Sequence, residues 1–380
     1  MKNIIVGGGR AGKELAAQLS ESVIIELEPQ KREELSELKG VQVIIGDGSD
    51  EELLKQAGLE DATAFILLTG SDEANYRAAA IAKEHGVPRI MVRVEDPEAI
   101  ARFDELGVEH VMQPTTIVAN LVADMMRPDG SERPFKKLLV PILNSDSVNK
   151  AFKEALLISS VALGEITAVK SGDTDGKELE FMANDLGVPL TILPEKEESL
   201  GIIRKYLRNH ACIILDTVEE HFYSPDCIVI GPEELGFLDR LFGRSVVLQL
   251  IRTASRPVLV ARTFRYYNQV LALLDASETA ESVGKYSVQM ARLCGANMYL
   301  LVLEAVPREL IDGIRKLCEK GNVHITEEWV EGNPMIEAVK KVKSGNYELT
   351  VLPWRGTGVI RADIIKKIIN DAPCSVLTVV

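Results

Sequence analysis

Three glycines near the start of the chain constrain its fold more than any other feature. The apolar run Ile4-Ile5-Val6 passes straight into Gly7-Gly8-Gly9-Arg10-Ala11-Gly12, which reads G-x-G-x-x-G at Gly7, Gly9 and Gly12. Glu14, Leu15, Ala16 and Leu19 follow at helical spacing. A buried strand, a tight turn and a helix in that order form an anion cradle. Gly7 permits the turn, Gly9 lets backbone approach a phosphate, and Gly12 lets the helix pack close on the strand. The helix start offers N–H groups and a partial positive charge, which makes Arg10 and Ala11 candidate contacts beside the glycines.

A second strand, Val23-Ile24-Ile25, ends in Glu26, nineteen positions after Gly7. A carboxylate there can accept both hydroxyls of a ribose, and it repels a 2′-phosphate. Glu26 therefore admits NAD(H), ATP, ADP or AMP, each with a free adenosine ribose, and leaves the choice open. The alternation continues with strands over 41–45, 64–68, 89–94 and 108–112. A helix over 50–57 lies between them, capped by Asp50 or Ser49, and another opens at Thr69-Gly70-Ser71-Asp72-Glu73-Ala74-Asn75. Strands and helices alternating at this length predict a right-handed, doubly wound parallel sheet, with its ligand at the carboxyl ends of the strands.

Residues 1–130 resemble the nucleotide-binding domain of the regulator-of-potassium-conductance family (RCK, also called KTN or TrkA-N). The resemblance rests on VGGGRAG, the acid after VII, the GDGSD turn, LLTGSDEAN and RVEDPE. It implies a Rossmann-like sheet, Asp47 and Gly48 near the adenosine moiety, Thr69, Gly70 and Asp72 near the phosphates, and Arg93 as a strand-end contact. Turn and N-cap chemistry is the ordinary use of Asp47 and Asp72, and it is compatible with binding. The resemblance further implies a regulatory subunit, cytoplasmic and peripheral at the inner face of the membrane, whose partner is a potassium or cation transporter or channel subunit. A helix over 115–126 carries Ile117, Leu121 and Met125 beside Val118, Val122 and Met126. So wide an apolar face can pack on its own sheet; the resemblance implies instead that it pairs two subunits in a homodimer or higher homo-oligomer.

The polar segment 127–134, with Pro128, Gly130 and Pro134, reads as a linker. A faint internal repeat follows. One copy begins KKLLVPILNSDSVNKAFKEALLIS at Lys136, the other NQVLALLDASETAESVGKYSVQMARL at Asn268. Each is a buried strand, a polar turn and an amphipathic helix. The copies also end alike, in IRTASRPVLVA and INDAPCSVLTVV. These ends resemble the universal stress protein (USP) family, an α/β fold that often binds ATP and dimerises through its last strand. The expected domains are thus 1–130, a first USP-like domain over 135–262 and a second over 267–380. Asp275-Ala276-Ser277 matches that family's D-G-S turn, and Val330-Glu331-Gly332-Asn333-Pro334 its V-x-G-x-P element. The phosphate loops depart from the family pattern. Gly231-Pro232-Glu233-Glu234-Leu235-Gly236 is one residue short of its Gly243-Arg244-Ser245, its proline lacks a donor, and its glutamates oppose a polyphosphate. Asn144 replaces the turn acid, and the second copy, around Trp354-Arg355-Gly356, has no later G-S. The expected role of these domains is a scaffold, with a second nucleotide site, where Arg355 or Trp354 stacks on a base, as the alternative.

Composition narrows the function classes. A formal net charge of −14 disfavours nucleic acid and anionic membrane surfaces. No run of eighteen apolar residues is present, so no transmembrane helix is expected and the cytoplasm is the default. Cys212, Cys227, Cys294, Cys318 and Cys374 form no CxxC pair, and none stands at zinc-ligand spacing from a histidine. His85, His110, His210, His221 and His324 fall in no recognisable catalytic setting, and no G-x-S-x-G, H-E-x-x-H or Walker A sequence occurs. A nucleotide that is read rather than consumed fits best, so no enzymatic activity is expected. The alternatives are an NAD-dependent oxidoreductase, an ATP hydrolase using the C-terminal units, and a stress sensor without a membrane partner.

Overall fold

Short apolar runs separated by amphipathic segments become parallel strands with helices on both faces, because each strand has two apolar sides to cover. The computed structural model of the chain describes residues 2–19, 21–108, 110–125, 135–142, 150–170, 176–193, 225–231, 256–262, 266–304, 306–344, 347–353, 360 and 362–379. The chain divides into two compact units, Met1–Val118 and Ala119–Val380.

In the first unit the strands are β1 (Lys2–Val6), β2 (Ser22–Glu26), β3 (Val41–Ile45), β4 (Ala62–Leu67), β5 (Ile90–Arg93) and β6 (His110–Met112). They pair in parallel in the order β3-β2-β1-β4-β5-β6. The interleaved helices are α1 (Arg10–Gln18), α2 (Arg32–Ser36), α3 (Glu51–Gln56), α4 (Asp72–Glu84) and α5 (Ile100–Glu105); α6 (Pro114–Met125) runs on past Val118. This is the Rossmann-like doubly wound sheet that the glycine pattern predicts. Alternate strand residues feed opposite cores. Ile4, Val6, Val23, Ile25, Phe65 and Leu67 pack with Ala78, Ala79, Ala82 and Phe103 on one face. Ile5, Ile24 and Ile66 pack with Ala16 and Leu35 on the other. The strand order reverses between β1 and β4, the place beyond the carboxyl ends where sheets of this kind take their ligands.

The second unit contains one ten-stranded sheet built from two halves of identical order. The first half is β7 (Lys137–Ile142), β8 (Glu165–Lys170), β9 (Leu190–Leu193), β10 (Cys227–Ile230) and β11 (Val258–Val260). The second is β12 (Gln269–Leu274), β13 (Asn297–Val302), β14 (Ile325–Trp329), β15 (Leu349–Pro353) and β16 (Ser375–Val379). The spatial order is β14-β13-β12-β15-β16-β11-β10-β7-β8-β9. Within each half the strands run parallel in the order third, second, first, fourth, fifth. The halves meet antiparallel through their last strands, with Val258 opposite Thr378, Leu259 opposite Leu377 and Val260 opposite Val376. The faint sequence repeat is therefore a true structural repeat of two α/β halves. The linker 127–134, Asn144, the Pro232–Ser245 stretch and Trp354 to Gly358 lie outside the described residues, as do Cys212, His210 and His221.

Candidate functional site

The β1–α1 turn is built as a cradle by backbone geometry. Gly7 has φ +106°, a region that side-chain-bearing residues rarely adopt, and it lies against Leu68 and Thr69 from β4's end. A Cβ on Gly12 would stand 2.0 Å from the Gly7 carbonyl oxygen, so the helix and the turn are in direct backbone contact. A Cβ on Gly9 would meet nothing within 4 Å. The three glycines thus divide into two that close the fold and one that faces open space.

The first turn of α1 has N–H groups with no intrahelical acceptor. Its N-cap is Gly9, which supplies no side-chain cap. Two other helices of the unit are capped by side chains, Asp50 accepting from Glu52 N and Leu53 N at the head of α3 and Ser71 from Ala74 N at the head of α4, whereas α2 and α5, like α1, have no side-chain cap. Arg10 and Ala11 are exposed at the uncapped end. The Arg10 guanidinium pairs with Glu14 at 3.3 Å, one turn further along.

Glu26 closes the second side. It is buried, and its two oxygens are held in place by backbone: Oε2 accepts from Gly8 N at 2.8 Å and Oε1 from Glu28 N at 3.0 Å. Lys31 Nζ stands 3.7 Å from Oε2 and 2.9 Å from Glu28. A carboxylate oxygen has two lone pairs, so these bonds orient Glu26 without exhausting it. Gly8 is a site residue that sequence reasoning missed. A Cβ there would come 2.5 Å from Leu35 Cδ1 and 3.0 Å from Glu26 Oε2. The signal was its place between two motif glycines; the reason, packing against Leu35, lies outside the motif.

Asp47 is exposed in the turn after β3. Its Oδ1 accepts from Ser49 N at 2.9 Å and from Ser49 Oγ at 2.8 Å, and these bonds, with a smaller contribution from Arg77, hold its carboxyl below the usual range. Gly48 is buried because a Cβ would meet Val6 Cγ1 at 2.1 Å. Across the strand-order reversal, Thr69 and Gly70 follow β4. Gly70, like Gly9, has no atom within 4 Å of where a Cβ would stand. Thr69 Oγ1 donates to Asn75 Oδ1 at 2.6 Å, and Asn75 Nδ2 donates to Thr69 O at 3.1 Å and to Arg93 O at 2.9 Å. Asn75 is fully buried on the same stripe of α4 as Ala78, Ala79 and Ala82. That position was its only sequence signal: an amide among alanines must have partners.

Asp72 is the first residue of α4. Its two oxygens accept from Glu95 N and Asp96 N, each at 2.9 Å, and fix the loop after β5. Arg93 ends β5 and pairs with Glu95. The Thr115 hydroxyl, then Arg93, hold the Glu95 carboxyl below the usual range. The structure thus brings Gly7, Gly9, Arg10, Ala11, Gly12, Glu26, Asp47, Gly48, Thr69, Gly70 and Arg93 to the carboxyl ends of the strands, with Asp72 turned to the loop. His110 begins β6 and His85 ends α4, which puts both at the opposite, amino ends of the strands. Among the described residues no cluster of three or more His, Cys, Asp or Glu could hold a metal, and no helix is long and apolar enough to cross a membrane.

The D-G-S-like turn of the second unit is closed by its own chain. Asp275 is buried and accepts from Ser277 N at 3.1 Å and Ile360 N at 3.3 Å. Asn333 caps the helix Pro334–Ser344 by accepting from Met335 N at 3.1 Å, after Gly332 turns at φ +116°.

An uncapped helix over a glycine turn, a buried acid at the end of β2 and a 3-2-1-4-5-6 parallel sheet define a mononucleotide- or dinucleotide-type binding fold. Residues 3–114 match the model of the TrkA-N domain. The Trk system potassium uptake protein TrkA homolog of Pyrococcus abyssi is 31% identical over 179 residues, covering 44% of this chain and 76% of that protein. Its counterpart in Methanothermobacter thermautotrophicus is 31% identical over 127 residues, 32% of this chain and 59% of that protein. The chain thus spans between about half and three quarters of the length of these relatives. A universal stress protein structure from Archaeoglobus fulgidus aligns with 65% of this chain and 98% of its own at 14% identity and a TM-score of 0.44. The chain belongs to the TrkA family of Trk-system potassium uptake proteins, and its first unit carries the TrkA-N domain.

Proposed function

We propose that the chain is the nucleotide-sensing regulatory subunit of a membrane potassium or cation transport system, and that its ligand is read without being turned over. One observation carries the reading. Gly9 and Gly70 face open space on opposite sides of the strand-order reversal, above a helix end that has no side-chain cap. The phosphates of NAD(H), ATP, ADP or AMP would take the free N–H groups of Arg10 and Ala11, with Thr69 and Gly70 opposite. Glu26 would receive the ribose hydroxyls, and Asp47 and Gly48 would flank the adenosine. Arg93 would add positive charge at the strand ends. A ligand that binds one conformation better than another shifts the population toward it, and that shift is the signal.

The partner in this reading is a separate membrane transporter or channel subunit, which keeps the protein peripheral at the cytoplasmic face. Val118 and Val122 of α6 are exposed apolar residues on adjacent turns, which supports pairing of two copies there. The working domain limits are 1–130 for nucleotide binding and 135–262 and 267–380 for the two USP-like halves, which act as a scaffold.

Calorimetry with NAD+, NADH, ATP, ADP and AMP in turn tests the reading. At least one is expected to bind, and mass spectrometry is expected to recover it unchanged. Gly9→Asp places bulk and charge at the phosphates and is expected to abolish binding. Equal affinity in that variant, or a chemically altered ligand, overturns the proposal.

A further inference from the structure

The candidate site is joined to the start of α6 by a run of hydrogen bonds whose central member, Asn75, is a fully buried amide. On the site's side, Asn75 takes the Thr69 hydroxyl and binds the Thr69 carbonyl. On the far side its second amide hydrogen goes to the carbonyl of Arg93, the last residue of β5. The Arg93 guanidinium pairs with Glu95, and Glu95 Oε2 accepts from Thr115 Oγ1 at 2.8 Å in the first turn of α6. Asp72, from the same helix as Asn75, pins the intervening loop through Glu95 N and Asp96 N.

Two features make this run more than a brace. First, α6 is where the chain leaves the nucleotide-binding unit, because the boundary after Val118 falls inside that helix. Second, two buried donors at the same strand ends, Arg93 Nε and Gln113 Nε2, have no acceptor among the described residues. Gln113 itself is buried, and its backbone carbonyl accepts from Ile117 N at 3.1 Å as α6 begins. Buried donors are costly to leave unpaired, so a movement of the end of β5 that gave either one an acceptor would be favoured. Coupling between sites requires an element with two arrangements, and exchange in α6 is the measurement that detects one.

Resting on the nucleotide reading above, we propose that Asn75 is the positioning residue that passes occupancy of the site to α6, through Arg93, Glu95 and Thr115. A phosphate beside Thr69 and Gly70 shifts the Thr69–Asn75 pair. Asn75 then moves the end of β5, and Glu95 delivers the change to Thr115.

Hydrogen exchange of the full chain, with and without ADP and separately NADH, tests this. Asn75→Ala takes the donor from the Thr69 and Arg93 carbonyls and leaves a gap at a fully buried position, so it is expected to destabilise the whole unit, and Thr115→Val is the decisive variant. It keeps the shape of the side chain and removes only the donor to Glu95. In the unaltered chain, bound nucleotide is expected to change exchange in the first turns of α6 by about threefold or more. In Thr115→Val, affinity is expected to stay within about twofold while that change disappears. An unaltered response in Thr115→Val overturns the relay, and so does nucleotide binding that leaves α6 exchange untouched in the parent chain. Absence of any binding by the parent chain instead overturns the nucleotide reading, and the relay with it.

Discussion

At the residue scale, Gly9 and Gly12 belong to one motif and answer to different demands. Gly12 has a carbonyl oxygen 2.0 Å from where a Cβ would stand, whereas Gly9 has nothing within 4 Å. Gly12→Ala must push α1 off the Gly7 turn and is expected to cost about 1–3 kcal/mol, seen as a lower denaturant midpoint. Gly9→Ala is expected to leave that midpoint within about 0.5 kcal/mol and still weaken nucleotide binding by about tenfold, or ~1.4 kcal/mol. If both variants lose stability equally, the division between closing and binding glycines is wrong. The glycine pattern was legible because spacing alone encodes a turn. Gly8 and Asn75 were not, because Leu35, Glu26 and Arg93 reach them only after the chain has folded.

At the element scale, strands were read more surely than caps and loops. The run at 23–26 falls on β2, whose residues are all buried because a parallel strand covered on both faces is written as continuous apolar sequence, and the run at 41–45 falls on β3, a half-buried edge strand with Gln42 exposed. The helix expected over 50–57 is Glu51–Gln56 with Asp50 as its cap, since Asp50, unlike Ser49, aims its carboxylate at Glu52 N and Leu53 N. What each loop acid does was less visible. Asp72 tethers Glu95 and Asp96, and no spacing rule connects positions more than twenty apart on different elements. The Glu95–Thr115 contact carries its own prediction. Folding lowers the Glu95 carboxyl below its ordinary value of 4.5, first through the Thr115 hydroxyl and then through Arg93, against some opposing burial. A group lowered by folding stabilises the protein fully above its unfolded value and loses that contribution as pH falls through the folded value. Thr115→Val is therefore expected to melt below the parent chain at pH 7, with the gap narrowing as the pH is taken below 4.5. A gap that is constant across this range would show that the contact does not depend on the carboxylate's charge.

At the scale of the whole molecule, two units with separate cores predict two unfolding events. The first unit encloses its own apolar clusters on both faces of a six-stranded sheet. The second has one sheet shared by two halves, so its halves should unfold together. Leu377 is fully buried at the seam opposite Leu259, and Thr378 Oγ1 donates across it to Val258 O at 3.0 Å. Leu377→Ala is expected to cost about 2–5 kcal/mol in the second unit alone, because the cavity it leaves touches both halves. Nucleotide acts on the other event. A ligand that binds only the folded first unit stabilises it by about 2.7 kcal/mol at a hundredfold excess over its dissociation constant. Scanning calorimetry of the full chain should therefore show one transition raised by nucleotide and unmoved by Leu377→Ala, and a second lowered by Leu377→Ala and unmoved by nucleotide. The Asp275 turn makes this informative, since the turn is buried under its own chain, with its carboxylate accepting from Ser277 N and Ile360 N. If nucleotide raises the second transition as well, that turn opens to admit a ligand, and the USP-like halves are a second sensor instead of a scaffold.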